Sequence, residues 1–301
     1  MARCFENRDA DHAGILKKLL PGMLPELLKA LGASAPSVVD ADKGNPQKKI
    51  LEYGTLRFQQ IASERAVDVA SLGFWDVALQ IQGSSPEYTA NKKFSEVLRV
   101  SNPDLTGWPV WLDSSGFADR TAHPYILEDK WEAFLYSPKT EGFGHWGHLD
   151  FMIFDPTGNF FLRRALQDDL GGTHATTVGK TVDPLIAILR TAEAIAVGQA
   201  FAKALKYEEA TTQLNFLFRW TGLKGRVMTA WSDPMRWFDV PTEARQSEVT
   251  STVTIPLSAS KEEIIAATHA AILPLSRVFG GYELKEPVVR QLVVRLLDRK
   301  L

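Results

Sequence analysis

The chain has 301 residues, 45% of them hydrophobic and 23% charged, with 34 basic against 36 acidic side chains and a formal net charge of -2. This composition can bury a large core, makes order rather than disorder the default, and gives no global field that would draw nucleic acid or an anionic membrane; only a local basic face stays open. The single cysteine, Cys4, excludes a disulfide framework and a cysteine-only metal cluster, as expected of a reducing compartment.

The first residues, MARCFENRDADHAG, have no apolar run behind a basic start. No secretory signal is expected, and the chain is assigned to the cytoplasm. Leu16, Leu20, Leu24, Leu27, Leu28 and Leu31 recur at helical spacing, interrupted by Pro21 and Pro25, which predicts two short amphipathic helices. Ala30 to Pro46 is rich in small, turn-forming residues and reads as a linker. The chain thus divides into an N-terminal part, 1–45, and a body, 46–301, with a further subdivision admitted near 105–130.

From Gln47 to about Leu72 the spacing of Ile50, Leu51, Phe58, Ile61 and Val67 predicts a helix, broken into two segments around Gly54. In FWDVALQIQ, Phe74 to Gln82, the alternation of Val77, Leu79 and Ile81 with Ala78 and Gln80 predicts a strand. Between Ser84 and Lys130 the prolines and polar residues predict loops, with a helix near Asn91–Val100 and a short strand at Val110–Leu112.

Trp131–Tyr136 and Leu149–Phe154 read as strands, and Asp155-Pro156-Thr157-Gly158-Asn159 turns the second into Phe160-Phe161-Leu162 as a hairpin. Thr181–Tyr207 predicts a helix on which Arg190, Glu193, Gln199 and Lys203 form one narrow polar strip. Those charges argue against a membrane span, and the apolar remainder argues for packing across a sheet. Gln213–Trp220 and Glu248–Leu257 alternate as antiparallel strands, and helices at Lys261–Phe279 and Glu286–Arg299 are separated by Gly280-Gly281. The expected class is α+β: a mainly antiparallel sheet with a long packed helix and the C-terminal helices on one face, plus N-terminal helices.

Three constellations carry candidate chemistry. His145, His148 and Asp150 supply imidazole and carboxylate ligands, with His148 and Asp150 on one strand face, so a divalent metal is the cofactor this cluster would hold. The competing reading has the histidines bonding backbone at a strand entrance. In Gly222-Leu223-Lys224-Gly225-Arg226 the glycines free backbone amides for an anion, with Lys224 and Arg226 adding charge; the competing reading is a hairpin loop with solvated basic residues. Arg163, Arg164, Arg219, Trp231, Arg236 and Trp237 mix arginine with aromatics in the manner of a nucleic-acid contact, against a solvated strand edge and core aromatics. The acidic pairs Glu128-Asp129 and Asp168-Asp169 point apart on an extended chain, and no nucleophile elbow, metalloprotease helix or phosphate-binding glycine motif occurs.

The stretches GWPVWLDSSGF (107–117), HLDFMIFDPTGNFFLRRALQDDL (148–170), AEAIAVGQAFAKAL (192–205) and FLFRWTGLKGR (216–226) resemble the C-terminal region of bacterial proteins described as DNA-binding or ATP-binding, which carry a Schlafen/AlbA-like N-terminal module. The resemblance spans roughly residues 105 to 300, and residues 1–100 hold no counterpart of that module. It implies an accessory or sensor domain in a bacterial regulatory or defence setting and brings no catalytic residue with it.

The leading expectation is therefore a binding or interaction protein, with the leucine-rich N-terminal helices docking a protein partner or a second copy. Nucleic-acid or nucleotide contact is the intermediate reading. The alternative is a metal-assisted hydrolase or nuclease built on His145, His148 and Asp150.

Overall fold

A computed structural model describes residues 45–85, 87–103, 105–111, 113–137, 147–171, 177–233 and 239–300. Leu16, Leu20, Leu24, Leu27, Leu28 and Leu31, the expected docking residues, lie outside them, as do His145, Arg236 and Trp237. Pro46–Leu301 forms one compact unit. Its strands are β1 (Phe74–Gln82), β2 (Tyr125–Leu127), β3 (Lys130–Ser137), β4 (His148–Phe154), β5 (Phe160–Ala165), β6 (Thr181–Val182), β7 (Gln213–Thr221), β8 (Val227–Thr229), β9 (Asp239–Val240) and β10 (Glu248–Pro256). Its helices are α1 (Pro46–Glu64), α2 (Lys92–Val100), α3 (Pro184–Ala204), α4 (Lys261–Arg277) and α5 (Glu286–Leu297).

The expected α+β class is what the chain adopts. Seven strands form one sheet in the order β10-β7-β1-β5-β4-β3-β2, antiparallel throughout. A small second sheet orders β6-β8-β9. Because side chains alternate across a strand, the large sheet has two apolar faces. On one, Val77, Leu79, Leu162, Phe216 and Phe218 share a core with α3 and α4, on which α5 packs; on the other, Phe74, Phe151, Phe161 and Leu217 meet α1. The helix at the front of the body thus covers the face opposite the C-terminal helices.

α3 begins at Asp183, whose carboxylate accepts from the Leu185 N–H at 2.8 Å, followed by Pro184 in the first turn. It is long and apolar enough to pass for a membrane span, yet 67% of its apolar window is buried within the fold. α4 opens on a capping box between Ser260 and Glu263.

Three local expectations are corrected. α1 is one unbroken helix: a Cβ at Gly54 would lie 2.2 Å from the Phe161 ring, so the glycine admits the sheet instead of breaking the helix. Val110 and Trp111 are buried but lie in a bend, not a strand. Glu128 and Asp129, with φ of 46° and 61°, form the two-residue turn that joins β2 to β3, where the sequence suggested only a pair of carboxylates.

Candidate functional site: a cleft between α3 and the sheet

The strand register sets four side chains in a row on the α3 face. Trp220 of β7 pairs with Trp75 of β1, Trp75 with Arg164 of β5, and Arg164 with Asp150 of β4. All four are buried. Arg164 Nε donates to Asp150 Oδ1 at 2.5 Å, and Trp108 Nε1 donates to Asp150 Oδ2 at 2.5 Å. Arg164 Nη2 also donates to the Pro109 carbonyl at 3.0 Å.

The loop carrying Thr106 and Trp108 is held from the helix side as well. Arg190 of α3 donates through Nη1 to the Trp108 carbonyl at 2.6 Å, to Glu193 Oε2 at 3.1 Å, and to the Thr106 hydroxyl. Thr106 in turn donates its N–H and its hydroxyl to Glu193, at 3.0 and 2.8 Å. A guanidinium has five N–H donors. Those on Nε and Nη2 of Arg190 make no hydrogen bond among the described residues.

A cleft of about 410 Å³ opens beside this network, lined by Trp108, His148, Ile186, Leu189, Arg190 and Trp231 among others. Trp108 and His148 stack with ring centroids 4.0 Å apart and planes 9° from parallel, one ring lying over the other as a two-layer platform. A smaller chamber of about 30 Å³ shares Gln167, Ile186 and Arg190 with the cleft and is otherwise lined by Trp75, Trp220, Arg164, Asp168 and Asp183. The indole N–H groups of Trp75 and Trp220 are buried and find no acceptor among the described residues.

Burial dominates the electrostatics. It pushes the His148 imidazole down, and the charges of Arg164 and Arg190 add to that while Asp150 opposes it, so the ring in the platform is neutral at pH 7. Burial, reinforced by the like charge of Arg164, lowers Arg190 to about 10, where it stays protonated. Asp168 is raised to about 7 by burial, against the hydrogen bond from Trp231 Nε1 at 2.8 Å and with the neighbouring Asp183 carboxylate raising it further. Burial raises Asp183 too, against the N–H groups of Ser232, Leu185 and Ile186 that it accepts.

These positions bear on those sequence-based site residues that are described; His145, the third member of the expected metal cluster, lies outside them. His148 and Asp150 do project from one face, but both Asp150 oxygens are taken by Arg164 and Trp108, and His148 is spent on stacking. Among the described residues no three His, Cys, Asp or Glu side chains gather to hold a metal. The 222–226 loop does not form an anion cradle: the Gly225 N–H donates to the Ala244 carbonyl at 2.9 Å and the Leu223 N–H to that of Ser247 at 3.0 Å. Arg226 is 1% exposed, bonded to Asp169 at 2.9 and 2.6 Å and to the carbonyls of Gly222 and Thr181, while Lys224 points to solvent. Gly222 serves packing, since a Cβ there would lie 2.7 Å from the Cα of Gly73, while Gly225 serves the turn with its φ of 79°.

The described arginines of the basic-aromatic set also turn inward. Arg163 donates to Asp76 at 2.7 and 2.9 Å, Arg219 reaches the same carboxylate at 2.6 Å, and the Arg163 guanidinium lies over the rings of Phe58 and Phe74. Neither arginine is presented to phosphate. The residues that sequence reasoning missed are Trp75, Trp108, Arg190 and Trp220. The available signal was Arg190 and Glu193, two charges three residues apart on a helix otherwise built for burial.

No protein-family model, curated protein or solved structure matches the chain.

Proposed function

We propose that the protein binds a small molecule with a flat apolar body in the cleft between α3 and the sheet. The observation that carries this reading is the Trp108–His148 platform, which shares a cleft of about 410 Å³ with Ile186 and Leu189 and with one arginine whose Nε and Nη2 are unclaimed by the described residues. Apolar walls with few placed polar groups are the usual composition of a ligand pocket, and this volume lies within the usual range. Binding is favoured over catalysis because the polar groups around the cleft are committed to one another: Glu193 to Thr106 and Arg190, Asp150 to Arg164 and Trp108. His148 makes no hydrogen bond to a hydroxyl or thiol that it could activate among the described residues.

The reading keeps the binding class expected from sequence and moves the site to the cleft. Saturation-transfer NMR with a panel of one- and two-ring aromatic compounds tests it. Saturable binding is expected in the wild type and its loss in Leu189→Trp, which fills the cleft from α3. Absence of saturable binding across the panel, or binding that Leu189→Trp leaves unchanged, overturns the reading.

A further inference from the structure

Two of the residues that line the chamber beside the cleft carry unmet donors. Trp75 and Trp220 are 4% and 0% exposed, and neither indole N–H has an acceptor among the described residues. Leaving such donors unmet in a low-dielectric interior is costly, so most buried polar groups in folded proteins have a partner. The two tryptophans are cross-strand neighbours on one face and line the same 30 Å³ space, with Arg190 as the wall shared with the cleft. A carbonyl oxygen carries two lone pairs and can accept from both indoles at once.

Size and charge decide the kind of acceptor. About 30 Å³ is room for one or two water-sized groups, too little for a phosphate. Arg164 is matched by Asp150 and Arg190 by Glu193. Asp168 and Asp183 then add carboxylates to the chamber wall, so negative groups equal or outnumber positive ones. An anionic head would enter against that balance; an uncharged one would not.

Resting on the cleft reading above, we infer that the chamber receives the uncharged carbonyl oxygen of the ligand, held by the indole N–H groups of Trp75 and Trp220, and that the ligand is therefore a neutral aromatic ketone, amide or lactam. Its ring lies in the cleft against Trp108 and His148.

The test uses 2-acetylnaphthalene and 2-naphthamide, with 2-naphthoate and 2-ethylnaphthalene as the anionic and hydrocarbon counterparts. The carbonyl probes are expected to bind roughly tenfold or more tighter than the hydrocarbon, and the acid more weakly than either carbonyl probe. In ¹⁵N-resolved spectra of the wild type, the carbonyl probes should move two indole N–H resonances downfield and the hydrocarbon should leave them in place. Trp75→Phe and Trp220→Phe assign those signals, and each should bring carbonyl affinity towards that of the hydrocarbon. Equal affinity for ketone and hydrocarbon with unmoved indole signals overturns the inference and leaves the cleft reading standing, since the chamber then holds water only. Tightest binding of 2-naphthoate overturns the assignment of an uncharged head. Binding of none of the four overturns both.

Discussion

Two rows of side chains cross the same strands one residue apart and face opposite ways. Arg219, Asp76 and Arg163 form the row under α1; Trp220, Trp75, Arg164 and Asp150 form the row under α3. Both use an arginine and an aspartate on neighbouring strands. In the first, one carboxylate takes two guanidinium groups, and Phe58 and Phe74 close over Arg163. In the second, the charges are paired as well, but the loop at Trp108 and Pro109 holds them alongside α3, and a cleft and two unmet indole donors remain. A buried ion pair therefore says little by itself about a site. What covers the pair, and whether donors and acceptors around it are balanced, separates a filled core from a place for a ligand.

Asp76→Ala should have the largest effect. It strands the buried Arg163 guanidinium and leaves the half-buried Arg219 only its bond to Thr55, and removing one partner of a buried pair costs about 3–5 kcal/mol, which a urea titration would record as a lower midpoint or as failure to fold. Asp150→Ala should cost less, about 1–3 kcal/mol, because Arg164 keeps the carbonyls of Trp108 and Pro109. If the Asp150 variant proves the more costly, the contrast between a closed and an open row is wrong.

A third prediction concerns the chamber beside the α3 row and is read by pH. Asp168 holds its proton up to about 7 in the folded chain against an ordinary value of 3.8, so the folded state binds more protons than the unfolded state between those values. Its contribution to stability is fully present below the ordinary carboxylate range and is lost as pH rises through about 7. Thermal unfolding should thus show wild type losing stability relative to Asp168→Asn over that window, and parallel profiles would contradict the assignment. The smallest change in stability is expected for His148→Ala, within about 1 kcal/mol of wild type, since the ring is only half-buried and makes no hydrogen bond among the described residues. The same variant should weaken aromatic probes several-fold by removing half of the platform, and unchanged affinity would take His148 out of the site.

The local elements were legible because their signals are short-range. β1 has the bounds read from FWDVALQIQ, Phe74–Gln82, although both of its faces are buried from Phe74 to Leu79, and α4 starts at Lys261, where the helix was expected. The site was not, because its partners are remote in sequence. Asp76 reads as the wet face of a half-buried strand until strand order brings Arg163 and Arg219, 87 and 143 residues away, to either side of it. Arg190 and Glu193 were visible as a polar strip, but their partner Thr106 lies between the helix and the short strand expected in the 84–130 stretch, where only loop was read. Arg226 looked like a loop cation because nothing near it in sequence announces Asp169, 57 residues upstream.

The position of β1 also bears on how the chain folds. It is the first strand of the sheet to be synthesised, yet it sits between β5 and β7, so neither of its backbone edges can be satisfied until those later strands have emerged. Loops this long close slowly, and an apolar strand waiting with both edges open is a template for pairing with another nascent chain. Yield on refolding should therefore depend steeply on concentration, with the arrival of β7 as the step that ends the exposure.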